Sequence, residues 1–137
     1  MKQPESVRAF KNELRNYRFY IERAVELEDK IEFLYDRLGG VRGIDPSKEP
    51  LHIMPNRDIE WKIRDDISKL DAQMSLVRAK IRYVDQILAK MEEPVKTAII
   101  CVYIDKKKTD VVAVQMWISP SGLMKKMNKA IEEALDG

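Results

Sequence analysis

The sequence predicts an all-α protein, a long antiparallel helical hairpin followed by a small C-terminal helix-turn-helix domain. Three observations carry that expectation. Apolar residues recur at spacings of three and four through residues 6 to 38. A second stripe, from 58 to 92, keeps a strict heptad register. The segment from Tyr103 to Leu135 then reads as a short apolar helix, a tight polar turn and a second amphipathic helix. Helical periodicity of this kind is the main secondary-structure signal a sequence carries.

In the first helix Val7, Phe10, Leu14, Tyr17, Ile21 and Ala24 form the stripe, which shifts by one position to Leu27, Ile31, Leu34 and Leu38. Pro4 suits its start and Gly39-Gly40 its stop. The connection from Val41 to Arg57 holds Gly43, Pro46, Pro50 and Pro55, and is long for a helix–helix link. The second helix is expected over 58 to 92, with Asn56 or Asp58 near its cap. Ile67, Met74, Ile81 and Leu88 take one heptad position, and Ile63, Leu70, Val77, Val84 and Met91 take the other. An unbroken register of that length argues for a coiled-coil seam. Residues 1–92 are therefore read as a helical hairpin and oligomerisation region. Ile63, Ile67, Leu70, Met74, Val77, Ile81, Val84 and Leu88 are its candidate oligomerisation residues. Phe33, Tyr35, Trp61, Leu76 and Ile87 are expected to be partly exposed and to favour a homodimer or larger homo-oligomer. The plainer reading of the region is a structural spacer.

Residues 93–137 form the second expected domain. Pro94 suits the first turn of a helix running to about Ile104, with Val95, Ala98, Ile99, Val102 and Tyr103 buried. A charged loop, Asp105-Lys106-Lys107-Lys108, follows, and Thr109 is expected to cap a short helix that buries Val112, Ala113 and Met116. Ser119 is placed as an N-cap with Pro120 at the first helical position. Ile118 and Leu123 occupy the two positions of a hydrophobic staple. Leu123, Met127, Ala130, Ile131 and Ala134 form the core side of the last helix. Ser121, Gly122, Lys125, Lys126 and Lys129 lie opposite, with Asn128 on the flank.

Charge and composition narrow the function classes. Net charge is only +2, yet between Pro94 and Ile131 seven lysines face two aspartates, 7 − 2 = +5, where a polyanion would bind. No apolar run of about 18 residues suggests a membrane span, and the N-terminal Met-Lys-Gln-Pro-Glu-Ser lacks the apolar stretch of a signal peptide. The single Cys101 fits a small core residue in a reducing cytoplasm, and the single His52 completes no metal cluster or triad. Gly39-Gly40-Val41-Arg42-Gly43 precedes no strand and so lacks the context of a phosphate loop. Asp65-Asp66 and Glu92-Glu93 are adjacent pairs, which point apart on a helix. No catalytic, metal or cofactor site is expected, and the chain is not read as an enzyme.

Tyr103-Ile104, Thr109, Val112-Ala113, Met116, Ile118-Ser119 and the run Leu123 to Ala130 resemble the helix-turn-helix of sigma-factor region four. The closer resemblance is to phage-encoded late-gene transcription regulators of the ArpU and RinA type. Tyr17-Arg18-Phe19-Tyr20-Ile21-Glu22 and Leu38-Gly39-Gly40-Val41-Arg42-Gly43 fit that style as well. Two positions depart from the pattern: Trp117 replaces a small residue before the turn isoleucine, and Gly122 replaces a threonine. The resemblance implies a regulator of phage or prophage genes that binds double-stranded DNA in the bacterial cytoplasm. Lys125, Lys126 and Lys129, helped by Lys106, Lys107 and Lys108, would meet phosphates. Ser119 and Ser121 would bond phosphate or base edges, and Asn128 an adenine. Two alternatives are a DNA-packaging protein like the phage small terminase subunit, and a module that binds host RNA polymerase.

Overall fold

The computed structural model describes residues 4–42 and 54–137, and every regular element among them is a helix. In chain order these are α1 (Glu5–Arg15), α2 (Tyr17–Arg42), α3 (Met54–Ala89), α4 (Val95–Ile99), a π-helical turn (Ile100–Ile104), α5 (Thr109–Gln115) and α6 (Pro120–Asp136). Among the described residues no helix is long and apolar enough to cross a membrane.

The expected first helix is two helices. Asn16, at φ −94° and ψ 0°, separates α1 from α2. That ψ lies outside the helical well, although the Asn16 amide still donates to the Asn12 carbonyl at 3.1 Å and the Asn16 carbonyl accepts from the Tyr20 amide at 2.9 Å. The apolar spacing runs on through Tyr17 and gives no sign of the break. Gly39 and Gly40 do not stop α2, which continues to Arg42. Glycine costs roughly 1 kcal/mol relative to alanine in a helix, a penalty that eases an ending without imposing one. At the other side of the connection α3 begins at Met54, so Asn56 and Asp58 lie inside the helix and not at its cap. Pro55 falls in the first turn, where a missing amide hydrogen is harmless. The rest of the proline-rich connection, with His52, lies outside the described residues.

Packing divides the chain into two compact units, Glu22–Arg78 and the pair Met1–Ile21 with Ala79–Gly137. The division does not fall at the expected 92/93, and the reason is visible in one core. Val7, Phe10 and Leu14 of α1 and Val84, Ile87 and Leu88 of α3 pack in the same cluster as Ile99, Tyr103, Leu123, Met127 and Ile131. The C-terminal helices alone have too little apolar surface to close a core, and α1 with the end of α3 supplies the missing wall. The Phe10 ring meets Tyr83 edge to face at 5.9 Å. Polar pairs hold the rim: the Tyr17 hydroxyl donates to Asp85 Oδ1 at 2.8 Å, and Lys80 Nζ donates to Glu13 Oε1 at 3.1 Å. Arg18 pairs with Asp105.

In the Glu22–Arg78 unit Leu38, Ile63 and Ile67 form a buried cluster edged by Ile31 and Leu34, and Arg23 donates to Gln73 at 3.0 Å. Late residues of α2 thus meet early residues of α3, so within this unit the two helices run in opposite directions. The seam residues assigned to oligomerisation are used inside the chain. Ile63, Ile67, Met74, Val84 and Leu88 are buried, and Leu70, Val77 and Ile81 are half-buried. A heptad seam needs a partner face, and packing within the chain covers much of this one. Ile87, expected at the surface, is likewise in the core. Phe33, Tyr35, Trp61 and Leu76 are exposed as expected.

The helix expected from Pro94 to Ile104 changes pitch midway. After Ile99 the turn widens, and the Asp105 amide donates to the Ile100 carbonyl at 2.9 Å. A π turn brings residues five apart onto one face. Ile104 therefore joins Ile99 and Tyr103 in the core, while Val95 and Val102 stay half-buried.

Candidate nucleic-acid interface

The segment from α5 to α6 is built by its caps. Lys108, in extended conformation, precedes α5, and Thr109 is the first helical residue with no capping bond from its side chain. The expected threonine cap is therefore displaced by one residue. Val112 and Ala113 are buried and Met116 is half-buried, as the spacing predicted. At the end of α5 the Trp117 amide donates to the Val114 carbonyl and the Ile118 amide to the Ala113 carbonyl, both at 3.1 Å. These are the paired bonds of a Schellman cap, whose pivot is a left-handed residue, usually glycine. Here the pivot is Trp117 at φ 62°, and its side chain is 93% exposed. A bulky residue there costs about 1–2 kcal/mol relative to glycine.

The start of α6 follows the expected pattern. The Ser119 hydroxyl oxygen accepts from the Gly122 amide at 3.1 Å, and Pro120 takes the first helical position. Leu123 is in the core and Ile118, half-buried, packs against it. Gly122 carries no side chain, and a Cβ added there would lie 3.0 Å from the Ser119 oxygen, a tight contact that a small movement of the hydroxyl relieves. Its amide is occupied by the cap, so Gly122 offers neither a side chain nor a free donor to a ligand. The Ser119 hydroxyl also lies 3.4 Å from the Ser121 hydroxyl, within hydrogen-bond reach, and both serines are exposed.

The remaining candidates separate into three groups. Lys106, Lys107 and Lys108 are all exposed, on a loop pinned by the Lys107 amide donating to the Cys101 carbonyl at 2.9 Å. Lys125 is exposed at the middle of the solvent face of α6. Lys126 and Lys129 line a groove of about 710 Å³ whose other residues include Glu92, Glu93 and Glu133. Lys129 Nζ lies 3.9 Å from Glu133. Those carboxylates lower the positive potential on that flank. Asn128 lies one turn beyond Met124 on α6 and is half-buried. Its Oδ1 is buried without a hydrogen-bond partner, so it does not face solvent as a reader of bases would. The structure thus brings Ser119, Ser121 and Lys125 onto one open surface, sets Lys126 and Lys129 to one side, and turns Asn128 inward.

Beneath α6 lies a residue the sequence reading passed over. Lys11 of α1 is 2% exposed, with Nζ 3.8 Å from Met124 Sδ and 5.3 Å from the centre of the Tyr103 ring. No carboxylate pairs with it among the described residues. Burial, reinforced by the Arg15 charge, holds its pKa down at about 8. Burial raises that of the Tyr103 hydroxyl. The signal was present in the spacing: Lys11 completes the stripe Val7, Phe10, Leu14 on its core side.

Among the described residues no cluster of histidine, cysteine, aspartate or glutamate could hold a metal ion. No protein-family model matches the chain, and no curated protein or solved structure matches it.

Proposed function

We infer that the protein binds double-stranded DNA through α6 and the 106–108 loop, as a transcription regulator that works as a homo-oligomer. In this reading α2 and α3 form a helical hairpin, and α5, the Trp117 turn and α6 form the helix-turn-helix. The observation that carries it is the pair of caps, Schellman at Trp117 and serine at Ser119, which fixes two short helices around a tight turn. On the same segment Lys106, Lys107, Lys108, Lys125 and Lys126 have no ion-pair partner among the described residues. Unpaired lysines on a short, rigid module suit a phosphate backbone. With no arginine on the face and Asn128 turned inward, recognition rests on phosphates more than on bases. The resemblance of the Tyr103 to Ala130 segment to phage late-gene regulators points the same way.

The reading is tested by replacing Lys125 and Lys126 with alanine together. Duplex binding is expected to weaken and its log–log salt slope to fall by about 2, one unit for each lost lysine–phosphate contact. Unchanged affinity and slope would remove α6 from the interface.

The oligomeric part rests on different residues from the heptad seam. Phe33 is 62% exposed beside a groove of about 550 Å³ lined by Leu34 and Leu70 and edged by Asp29, Lys30, Asp66 and Lys69. Two acids and two bases around an apolar centre complement a second copy of themselves. Light scattering at tens of micromolar is expected to give at least a dimer, and Phe33→Asp to shift it to monomer. A monomeric parent at that concentration contradicts the assignment.

A further inference from the structure

We propose that the outer face of α5, ending at Trp117, docks a short acidic amphipathic helix of a partner protein. Val111, Val114 and Trp117 follow one another at intervals of three and are 48%, 73% and 93% exposed. The core side of α5 is already filled by Val112 and Ala113, so nothing in the packing of this unit calls for apolar residues on its outer side. The Schellman turn sets Trp117 outward at a backbone position that glycine occupies without strain. Exposed tryptophan in an apolar row is a feature of interaction surfaces, where buried aromatic anchors carry most of the affinity.

Charge selects the occupant. The row continues at its N-terminal end into Lys108, with Lys106 and Lys107 beside it. Of the nearby anions, Asp105 is held by Arg18 and Asp110 stands free, leaving 3 − 1 = +2 at the rim. A second copy would bring the same positive rim against this one and be repelled. Duplex DNA would satisfy the lysines but offers only scattered thymine methyls to a row of two valines and a tryptophan. Val111 and Val114 lie about one helical turn apart and Trp117 follows just beyond the end of α5, a row that apolar anchors on successive turns of a partner helix can meet. An acidic helix with such anchors satisfies both the row and its rim. This surface shares Lys106, Lys107 and Lys108 with the proposed DNA contact, whereas Val111, Val114 and Trp117 belong to it alone, so variants at those three positions test it apart from the DNA reading.

The test uses the full chain and a fluorescein-labelled, fifteen-residue synthetic helix carrying leucine at its three anchor positions and glutamate at its polar ones. Anisotropy is expected to give a Kd on the order of 10–100 µM, the range of weak transient contacts, weakening as salt is added. Val114→Asp and Trp117→Gly are each expected to weaken binding by more than about tenfold, as loss of an anchor does. Trp117→Gly keeps the fold because glycine suits the backbone at that position, and circular dichroism verifies it. A composition-matched peptide with the leucines scattered is expected not to bind. Three results would overturn the proposal: equal binding of the scattered peptide, an unchanged Kd in Trp117→Gly, or dimerisation of the parent that Val114→Asp abolishes.

Discussion

Phe10→Ala is expected to lower the stability of the unit that contains α5 and α6 by about 3–5 kcal/mol, although residue 10 sits at the opposite end of the chain. Phe10 is 1% exposed and lies in the cluster that includes Leu123, Met127 and Ile131. Truncation removes the ring, its edge contact with Tyr83 and the apolar contacts around it, and leaves a cavity. A small unit holds only about 5–15 kcal/mol in total, so the loss is a large share of it. The same packing predicts that a peptide of residues 93–137 alone stays unfolded, because α1 and the end of α3 form part of its core. Circular dichroism melts of the full-length variant and of the peptide check both statements. A peptide that melts cooperatively, or a variant as stable as the parent, would mean that α1 is an accessory and not a wall of the core.

Lys11→Met is expected to stabilise the protein at pH 7 by roughly 1–3 kcal/mol, the worth of a pKa displaced by more than two units with allowance for residual solvation. The sign follows from proton counting. The folded state releases the Lys11 proton near pH 8, whereas the unfolded chain holds it to about 10.5. Below pH 8 the penalty for a buried cation is present in full. Between 8 and 10.5 the unfolded state binds more protons, so the stability of the parent rises with pH. The groups facing Lys11 are Arg15, which also lowers its pKa, and the Tyr103 ring, with Met124 uncharged. Tyr17, whose hydroxyl is pushed up to about 12, works in the opposite sense above pH 10, when the unfolded chain ionises first. The parent should therefore gain stability from pH 8 towards 10, and Lys11→Met should be flat there. Methionine has a similar unbranched shape and removes the charge. Urea midpoints at each pH measure the difference. A destabilised variant, or a parent with no alkaline rise, would show that Lys11 reaches solvent or a counter-charge in solution.

The helical class and the cap of α6 were legible because both are written locally. Ser119, Pro120 and Leu123 occupy positions whose chemistry is decided within one turn, and the apolar stripes name their core sides directly. What the stripes do not name is the surface they will meet. The heptad positions of α3 read as an external seam, yet Val84 and Leu88 pack with α1 and α6, and Ile63 and Ile67 pack with Leu38. Partner choice is a property of the whole chain. Single-residue changes in backbone geometry escaped for a different reason. The break at Asn16 and the π turn after Ile99 alter one set of dihedrals without disturbing the order of apolar residues. Asn128 shows the same limit at the candidate site. On a helical wheel it borders the solvent face, and only the fold shows that its amide oxygen is covered. Trp117 was visible as a departure from the helix-turn-helix pattern the segment resembles, whereas its left-handed backbone and its exposure required the fold.

The most direct test of DNA binding is the salt dependence of the parent's affinity for a duplex, measured by anisotropy from about 50 to 200 mM salt. Engagement of most of Lys106, Lys107, Lys108, Lys125 and Lys126 predicts a linear log–log plot with a slope of about −3 to −4.5, each phosphate contact contributing about −0.9. No binding at the lowest salt, or binding with a slope near zero, would contradict a phosphate-reading role for this module.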